Sequence, residues 1–461
     1  MERMTVQEIA EAVQGQIQFS IPGARVTGVS IDSRTVNKGD LFIAIKGQRY
    51  DGHDFIKNAV KNGAVCVLSE KEIQPLENCS GVTVEDTAHA LKALAKHYRR
   101  KFDVKVVAVT GSTGKTTTKD MIAHVLSSHF NVMKTVGNYN NEIGLPLTVF
   151  NINPKHEILV LEMGMSGFGE IAALTDIAMP DIAVITNIGV AHIENLGSQD
   201  NILKAKTEIF NSFTDEGLAV LNGDDRYLLT LRDKYHFDKI YFSIKTKQAG
   251  FINAYDIKST QGGISFKVDI LGKGEQINIP VPGEHNIYNA LAAIAVAIHL
   301  GVPAHKMKHA LGSVTANKGR MNIITTDDGL KIIDDCYNAN PDSMAAAIRV
   351  LADIGKGRRI AVLGDMLELG DYSERGHRYI GRIAKEESVD ILICVGQQAV
   401  FIGREAAQQG MPDSHIEYFD KNKQAVEYLK SMVKPGDTIL IKGSRGMGME
   451  EILSGILEGR K

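Results

Sequence analysis

The chain has 461 residues, of which 44% are hydrophobic and 23% charged, and it carries a formal net charge of −3. That length exceeds one ordinary core and divides into two to four domains. The slight acidic balance argues against a dedicated nucleic-acid binder, although a phosphorylated ligand needs only a local positive pocket. No run approaches the roughly 18 apolar residues a membrane helix needs. Residues 1–6 lack the charged-then-apolar layout of a signal peptide. The four cysteines, Cys66, Cys79, Cys336 and Cys394, are scattered, with no Cys-x-x-Cys pair. A reduced, cytoplasmic protein with structural cysteines is expected.

In chain order, residues 1–100 mix short elements. Helical spacing covers 5–13, 54–62 and 87–100, and strand-like alternation covers 25–31, 40–45 and 64–68. The cluster Arg99-Arg100-Lys101 that closes this block reads as a solvated helix end. From Val104 the texture changes. The largely β-branched run 104–110 predicts a strand buried on both faces of a parallel sheet. Similar runs at 158–161, 182–186 and 218–221 alternate with helical segments, which predicts a doubly wound core. Residues 254–280 read as a β-hairpin excursion, and 287–300 as a buried helix.

After about Val314 a second α/β rhythm begins, with strands at 331–333, 360–363, 391–395 and 438–441 and helices such as 343–352 and 425–432. It lacks a Gly-x-Gly-x-x-Gly fingerprint, so dinucleotide binding is not indicated. The expected architecture is α/β in three domains: a small α+β N-terminal domain (1–100), a central doubly wound phosphate-loop domain (101–315) and a C-terminal Rossmann-like domain (316–461).

The strongest chemical signal is Thr110-Gly111-Ser112-Thr113-Gly114-Lys115-Thr116-Thr117-Thr118, between a predicted strand and a predicted helix. Glycines let consecutive N–H groups turn toward one anion, and the helix N-terminus adds partial positive charge. Lys115 reaches the β- and γ-phosphates of ATP, and the Thr116 hydroxyl serves Mg²⁺. The loop is a shortened variant, with Val109 where the common pattern has glycine. The competing reading is an ordinary Gly-rich strand-to-helix turn.

Two residues follow later strands. Glu162 ends the run 158–161, and His192 lies just past 182–186; in open α/β sheets, ligands gather at such carboxyl ends. Each fits a metal ligand. Position alone equally fits a solvated glutamate and a hydrogen-bonded loop histidine. Lys206, read from spacing, is a surface lysine near the start of a helix.

These motifs, with Asn187-Ile188-Gly189-x-x-His192, Ala205-Lys206-x-x-Ile209-Phe210 and Pro282-Gly283-x-His285-Asn286-x-x-Asn289-Ala290-Leu291-Ala292, resemble those of the Mur ligases across essentially the whole chain. Folylpolyglutamate synthases are relatives of that family. Three further segments, 138–146, 335–341 and 363–370, together with Lys442-Gly443-Ser444-Arg445, resemble the branch that adds D-alanyl-D-alanine to a UDP-linked muramoyl-tripeptide. The Asp-Asn-Pro-Arg signature of a sister branch is absent from the sequence.

The resemblance implies an ATP-dependent, Mg²⁺-requiring ligase that activates a carboxylate as an acyl phosphate. It implies that Gly111, Ser112, Thr113, Gly114, Lys115, Thr116 and Thr117 cradle the triphosphate. Thr116 with Glu162 would hold one Mg²⁺, and Glu162, His192 and a Lys206 carbamylated by CO₂ would surround a second. Asn286 and Asn289 would approach the adenine, and Arg320 and Asp335 the phosphates and ribose. Ser33, Arg34, Gly47, Asp51 and His53 would bind the uridine end, and Asn138, Asn140, Asn141, Asn338 and Asn340 the rest of the substrate.

A hinge is expected near 314–319, because Arg320 and Asp335 belong to a different block from the phosphate loop. The chain is read as a monomer acting on small molecules, with no nucleic-acid partner and no membrane insertion. Competing readings are a folylpolyglutamate synthase and, in another class, a phosphate-loop regulatory or transport ATPase.

Overall fold

The apolar runs become strands within a residue or two of their predicted limits. In the computed structural model, which describes residues 1–245, 248, 250–260 and 262–458, the run 104–110 is the strand Lys105–Thr110, buried after its first residue. The next runs are Ile158–Glu162, Ile182–Ile185 and Leu218–Asn222, all buried throughout. Continuous burial on both faces is what a parallel strand covered by helices requires. The strands group into sheets of two, five, nine and six.

The chain forms two compact units. The first comprises Met1–Thr110, Phe130–Ala183 and Thr207–Leu218; the second comprises Gly111–His129, Val184–Lys206 and the chain from Ala219 onward. In the first unit, a five-stranded sheet runs in the order Gln16–Phe19, Ser80–Thr83, Cys66–Ser69, Asp40–Ile43, Gly28–Ser30. The strand expected over 25–31 is broken. Arg25–Val26 pairs with Met4–Thr5, whereas Gly28–Ser30 joins the five-stranded sheet. Thr27 between them donates its N–H to Gly39 O, which turns the chain from one sheet to the other.

The helix expected from 54 begins instead as a 3₁₀ turn, Gly52–Phe55, capped by Asp51, before Ile56–Lys61. In the same unit, Val132–Lys134, Ile158–Glu162 and Lys105–Thr110 run parallel and side by side, with Glu162 level with Val109.

One expectation in this unit is overturned. Arg99 is not a solvated helix end but is buried. Its guanidinium donates to Ala178 O (3.2 Å), Phe102 O (2.8 Å) and Val104 O (2.9 Å). The stem of an arginine at the last turn of an amphipathic helix can lie along the core while its fork satisfies carbonyls that a helix end and a loop leave open.

In the second unit, Asp238–Ser243 pairs parallel with Phe251–Thr260, which continues antiparallel through Gly263–Ile270 and Lys273–Ile279. The excursion is thus a three-stranded meander, not a single hairpin. The helix His285–His299 that follows is apolar almost all round and buried, as its alanine-rich sequence demands.

The C-terminal sheet has the order Asn322–Thr325, Lys331–Asp334, Thr438–Lys442, Arg359–Gly364, Ile391–Val395, Ile416–Phe419, parallel except for the first. Helices Pro341–Ile354, Ser373–Glu386 and Val400–Gln408 cover one face, and Asn422–Met432 and Glu450–Leu457 the other. The two edge strands were not predicted; both are half-exposed and lack a continuous apolar run. The last three positions of the expected domain, 459–461, lie outside the described residues.

All four cysteines are free and buried, and burial pushes the Cys79 and Cys394 thiols up to about 12. Among the described residues no helix is long and apolar enough to cross a membrane.

Candidate active site

The phosphate loop forms because the chain must turn sharply between a buried strand and the helix Lys115–Ser127. Gly111 makes the turn at φ +149°, and a Cβ there would collide with the Thr186 hydroxyl. No other residue combines that backbone with that approach. The loop is braced by one asparagine. Asn187 accepts from the Thr113 N–H (3.0 Å) and donates to Thr113 Oγ1 (2.7 Å), while its carbonyl accepts the Ser112 N–H (3.1 Å). The N–H groups of Ser112 and Thr113 therefore face protein. The anion-directed donors narrow to the first helical turn, 114–117, whose N–H groups have no acceptor within the helix. Lys115 Nζ folds back onto Gly111 O at 2.8 Å, holding the ammonium over the loop.

Asn286 and Asn289, expected near an adenine, are buried and engaged beneath this helix. Asn289 Oδ1 accepts the Thr118 hydroxyl (2.9 Å), Asn289 donates to Asn286 Oδ1 (3.0 Å), and Asn286 donates to Pro282 O (2.7 Å). Thr116 is also buried, and Thr117 is half-buried.

Glu162 is 2% exposed at the end of its strand. One carboxylate oxygen accepts from Asn140 Nδ2 at 2.8 Å; the other, Oε2, is buried without a hydrogen-bond partner. A buried carboxylate oxygen with no donor is costly unless a cation takes that position. Asn141 caps the short helix Gly144–Val149 through the Gly144 N–H (2.8 Å), and Asn138 is exposed.

Lys206 departs furthest from its expectation. It lies at the end, not the start, of the helix Gln199–Thr207 and is 1% exposed. Burial, and secondarily the charge of Lys115, hold its pKa well below that of an ordinary lysine. A buried amine that is readily neutral is a nucleophile. His192, in a left-handed turn (φ +62°), sets Nδ1 2.6 Å from Glu368 Oε2. The approach is close but off the line of a well-formed hydrogen bond.

Arg320 stacks on Tyr337, its guanidinium carbon 4.2 Å from the ring centre. Asp335 is buried in an ion pair with Lys442 (2.6 Å) and accepts the Met321 N–H (3.1 Å). Lys442 also donates to Asn338 O, and Asn338 Oδ1 accepts from the Ala339 and Arg445 N–H groups. Asn340 caps Pro341–Ile354 in a reciprocal capping box with Ser343. Lys442, Asn187 and Glu368 organise this region without having been singled out from sequence. Their signal was membership of the quoted motifs: Asn187 in 187–192, Glu368 in 363–370 and Lys442 in 442–445.

In the first unit, Arg34 is exposed and grips Asp32 through Nε (2.9 Å) and Nη2 (2.7 Å), which lowers the Asp32 carboxyl to about 2. Ser33 is buried, its carbonyl held by Asn62 (2.7 Å). Gly47 donates to Tyr50 O (2.9 Å). Asp51 accepts from His53 Nδ1 (2.5 Å) and Lys71 (3.0 Å), while His53 Nε2 accepts the Glu70 N–H (3.0 Å).

Among the described residues no three His, Cys, Asp or Glu side chains form a group able to hold a metal. Individual donors nevertheless suit Mg²⁺, a hard cation that binds through few protein oxygens plus phosphate and water. The partnerless Oε2 of Glu162 is such an oxygen, and the Thr116 hydroxyl is another.

Three family models match successive stretches: the Mur ligase family catalytic domain over 25–99, the Mur ligase middle domain over 109–297, and the Mur ligase glutamate ligase domain over 319–445. The chain is 39% identical to the UDP-N-acetylmuramoyl-tripeptide–D-alanyl-D-alanine ligase of Bacillus subtilis, with 99% of each chain covered. It belongs to the Mur ligase family. Among solved structures, MurF of Acinetobacter baumannii matches this Mur ligase with a TM-score of 0.91 at 32% identity, covering 99% of both chains. MurF of Thermotoga maritima in complex with ADP matches with a TM-score of 0.83 at 31% identity, covering 94% of this chain and 97% of that one. The three-domain α/β organisation expected from sequence holds for this member of the family.

Proposed function

We propose that this chain is an ATP-dependent, ADP-forming ligase that joins D-alanyl-D-alanine to the carboxylate of UDP-N-acetylmuramoyl-tripeptide in peptidoglycan precursor synthesis. The observation that carries the reading is a phosphate loop braced at Gly111 and Thr113 and bearing Lys115, in a chain that also buries the Lys206 amine. The identity of its full-length relatives and the ADP complex of the Thermotoga protein support the choice of substrates and nucleotide.

A carboxylate is a poor electrophile because its charge repels nucleophiles and oxide leaves badly. Attack of a carboxylate oxygen on the γ-phosphorus, with rupture of the bond to ADP, gives an acyl phosphate. The amine of D-alanyl-D-alanine then attacks the acyl carbon; inorganic phosphate departs and the nitrogen loses one proton. Catalysis is mainly positioning and charge neutralisation.

Lys115 and the N–H groups of 114–117 hold the β- and γ-phosphates. Asn187 keeps the loop in shape, and Asn286 and Asn289 support its helix. Asn140 orients Glu162. Arg320 faces phosphate, and Asp335, fixed by Lys442, orders the ribose side. Mg²⁺, held by Thr116, Glu162, His192 and Lys206, would neutralise phosphate charge. Lys206 serves that role as a carbamate: its neutral nitrogen adds to CO₂, an N–C bond forms, one N–H proton leaves, and a cation becomes an anionic oxygen donor.

Ser33, Arg34, Gly47, Asp51 and His53 form the uridine-binding part of a first block (1–100), followed by the nucleotide block (101–315) and the closing block (316–461). Asn138, Asn141, Asn338 and Asn340 serve the rest of the UDP-linked substrate. The enzyme works as a cytoplasmic monomer.

The test is phosphate release over paired substrates. UDP-N-acetylmuramoyl-tripeptide with D-alanyl-D-alanine should give rapid, dipeptide-dependent release. Turnover only with folate and glutamate, or ATP hydrolysis indifferent to both substrates, would overturn the reading.

A further inference from the structure

His192 and Glu368 come from segments far apart in sequence, yet each adopts a left-handed backbone, φ +62° at both. For residues other than glycine, asparagine or aspartate that conformation is uncommon and persists where the surroundings impose it. The surroundings here are specific. Val190 belongs to the C-terminal apolar core, and Ile193 packs against it. Gly370, at φ +50°, brings its backbone so near the turn of Glu194 that an added Cβ would sit 3.2–3.3 Å from Glu194 Cα, Cβ and Cγ. Two turns are thus locked face to face, and His192 Nδ1 meets Glu368 Oε2 across them. The Glu368 side chain is otherwise more than half exposed, whereas Nδ1 is buried. A glutamate pulled onto one ring nitrogen leaves the other nitrogen, Nε2, as the one able to act elsewhere.

We propose that Glu368 is a positioning residue: it fixes the orientation of the His192 ring so that Nε2 is presented to a divalent cation. Carboxylates that orient a metal-ligating histidine through its second nitrogen do this in many metal sites, and removing them costs roughly 10–100-fold in metal affinity or activity. The chain thereby makes its histidine ligand conditional on docking of the turn that carries Glu368 and Gly370. The inference rests on the reading of His192 as a cation ligand, and the experiment separates the two.

Mn²⁺ binding to the full chain with a non-hydrolysable ATP analogue, followed by electron paramagnetic resonance, should weaken about tenfold or more in Glu368→Ala. Analogue affinity without metal and the thermal midpoint should stay at parental values. Glu368→Gln, which keeps an acceptor, should recover part of the loss. Parental Mn²⁺ binding in a folded Glu368→Ala overturns the inference, as does a loss that Glu368→Gln does not relieve at all. If Glu368→Ala does not fold, Glu368→Asp decides: its shortened carboxylate cannot reach Nδ1, and undiminished Mn²⁺ affinity there overturns the inference. His192→Ala reports on the underlying reading. If it binds Mn²⁺ normally, the ligand role of His192 fails and takes this inference with it; if it weakens while Glu368→Ala does not, only the positioning role fails.

Discussion

Lys206 and Arg34 are both cations at proposed functional positions, and they live in opposite conditions. Lys206 is buried, with its charge disfavoured by desolvation and by Lys115. Arg34 lies in solvent, held by its neighbour Asp32 two residues away. The chemistry in the middle of the chain is set by the fold before any ligand arrives. In the turn around residues 32–34 the protein offers an exposed charge pair. Substitutions in the first region should therefore damage turnover, and substitutions in the second should mostly change substrate affinity.

Lys115→Ala is the hardest test of that contrast. Ligation should fall by about a thousandfold or more while the thermal midpoint moves little, measured by phosphate release and calorimetry; near-parental turnover would refute the phosphate-loop reading. Lys206→Ala should lose on the order of a hundredfold and regain part of its activity with acetate or formate, small carboxylates that stand in for a carbamate. Full activity without rescue would return Lys206 to a packing role.

Asn289→Ala sharpens the comparison from the side of stability. It leaves the buried Thr118 hydroxyl without its acceptor, costing about 1–3 kcal/mol, and turnover should fall with it.

A pH series separates buried from exposed groups in another way. Burial lowers the pKa of His285 and His377. The unfolded chain binds protons near the ordinary histidine value of about 6.5, and the folded chain does not. Their contribution is complete above that pH and is lost progressively as pH falls below it. The thermal midpoint should decline over that window, and less steeply in His377→Asn. The smallest effect belongs to Arg34→Ala: no measurable change in thermal midpoint, since a solvent-exposed ion pair adds little to stability, and a severalfold rise in the KM for the UDP-linked substrate.

Sequence made the fold legible wherever burial was continuous. The runs that became Lys105–Thr110, Ile158–Glu162 and Ile391–Val395 are apolar on both faces, and nothing else suits them. Asn322–Thr325 and Ile416–Phe419 were invisible because an edge strand is wet on one side and carries a weaker pattern. The phosphate loop was readable from its glycines and lysine. The burial of Lys206 and Arg99 was not, because a charged residue is far more often exposed and one-dimensional spacing carries no record of what packs over a helix end. Asn140 and Asn187 were seen as motif members, but only coordinates reveal that one steadies Glu162 and the other the loop.

Arg99 has a practical consequence for anyone dissecting this chain. Its fork reaches Val104 and Ala178, and the neighbouring Tyr98 hydroxyl donates to Ile152 O. A fragment ending at residue 100 would carry a guanidinium and a phenol whose acceptors had been cut away. Ribosomal synthesis meets the same condition: the first hundred residues cannot seal their C-terminal edge until nearly eighty more have left the exit tunnel.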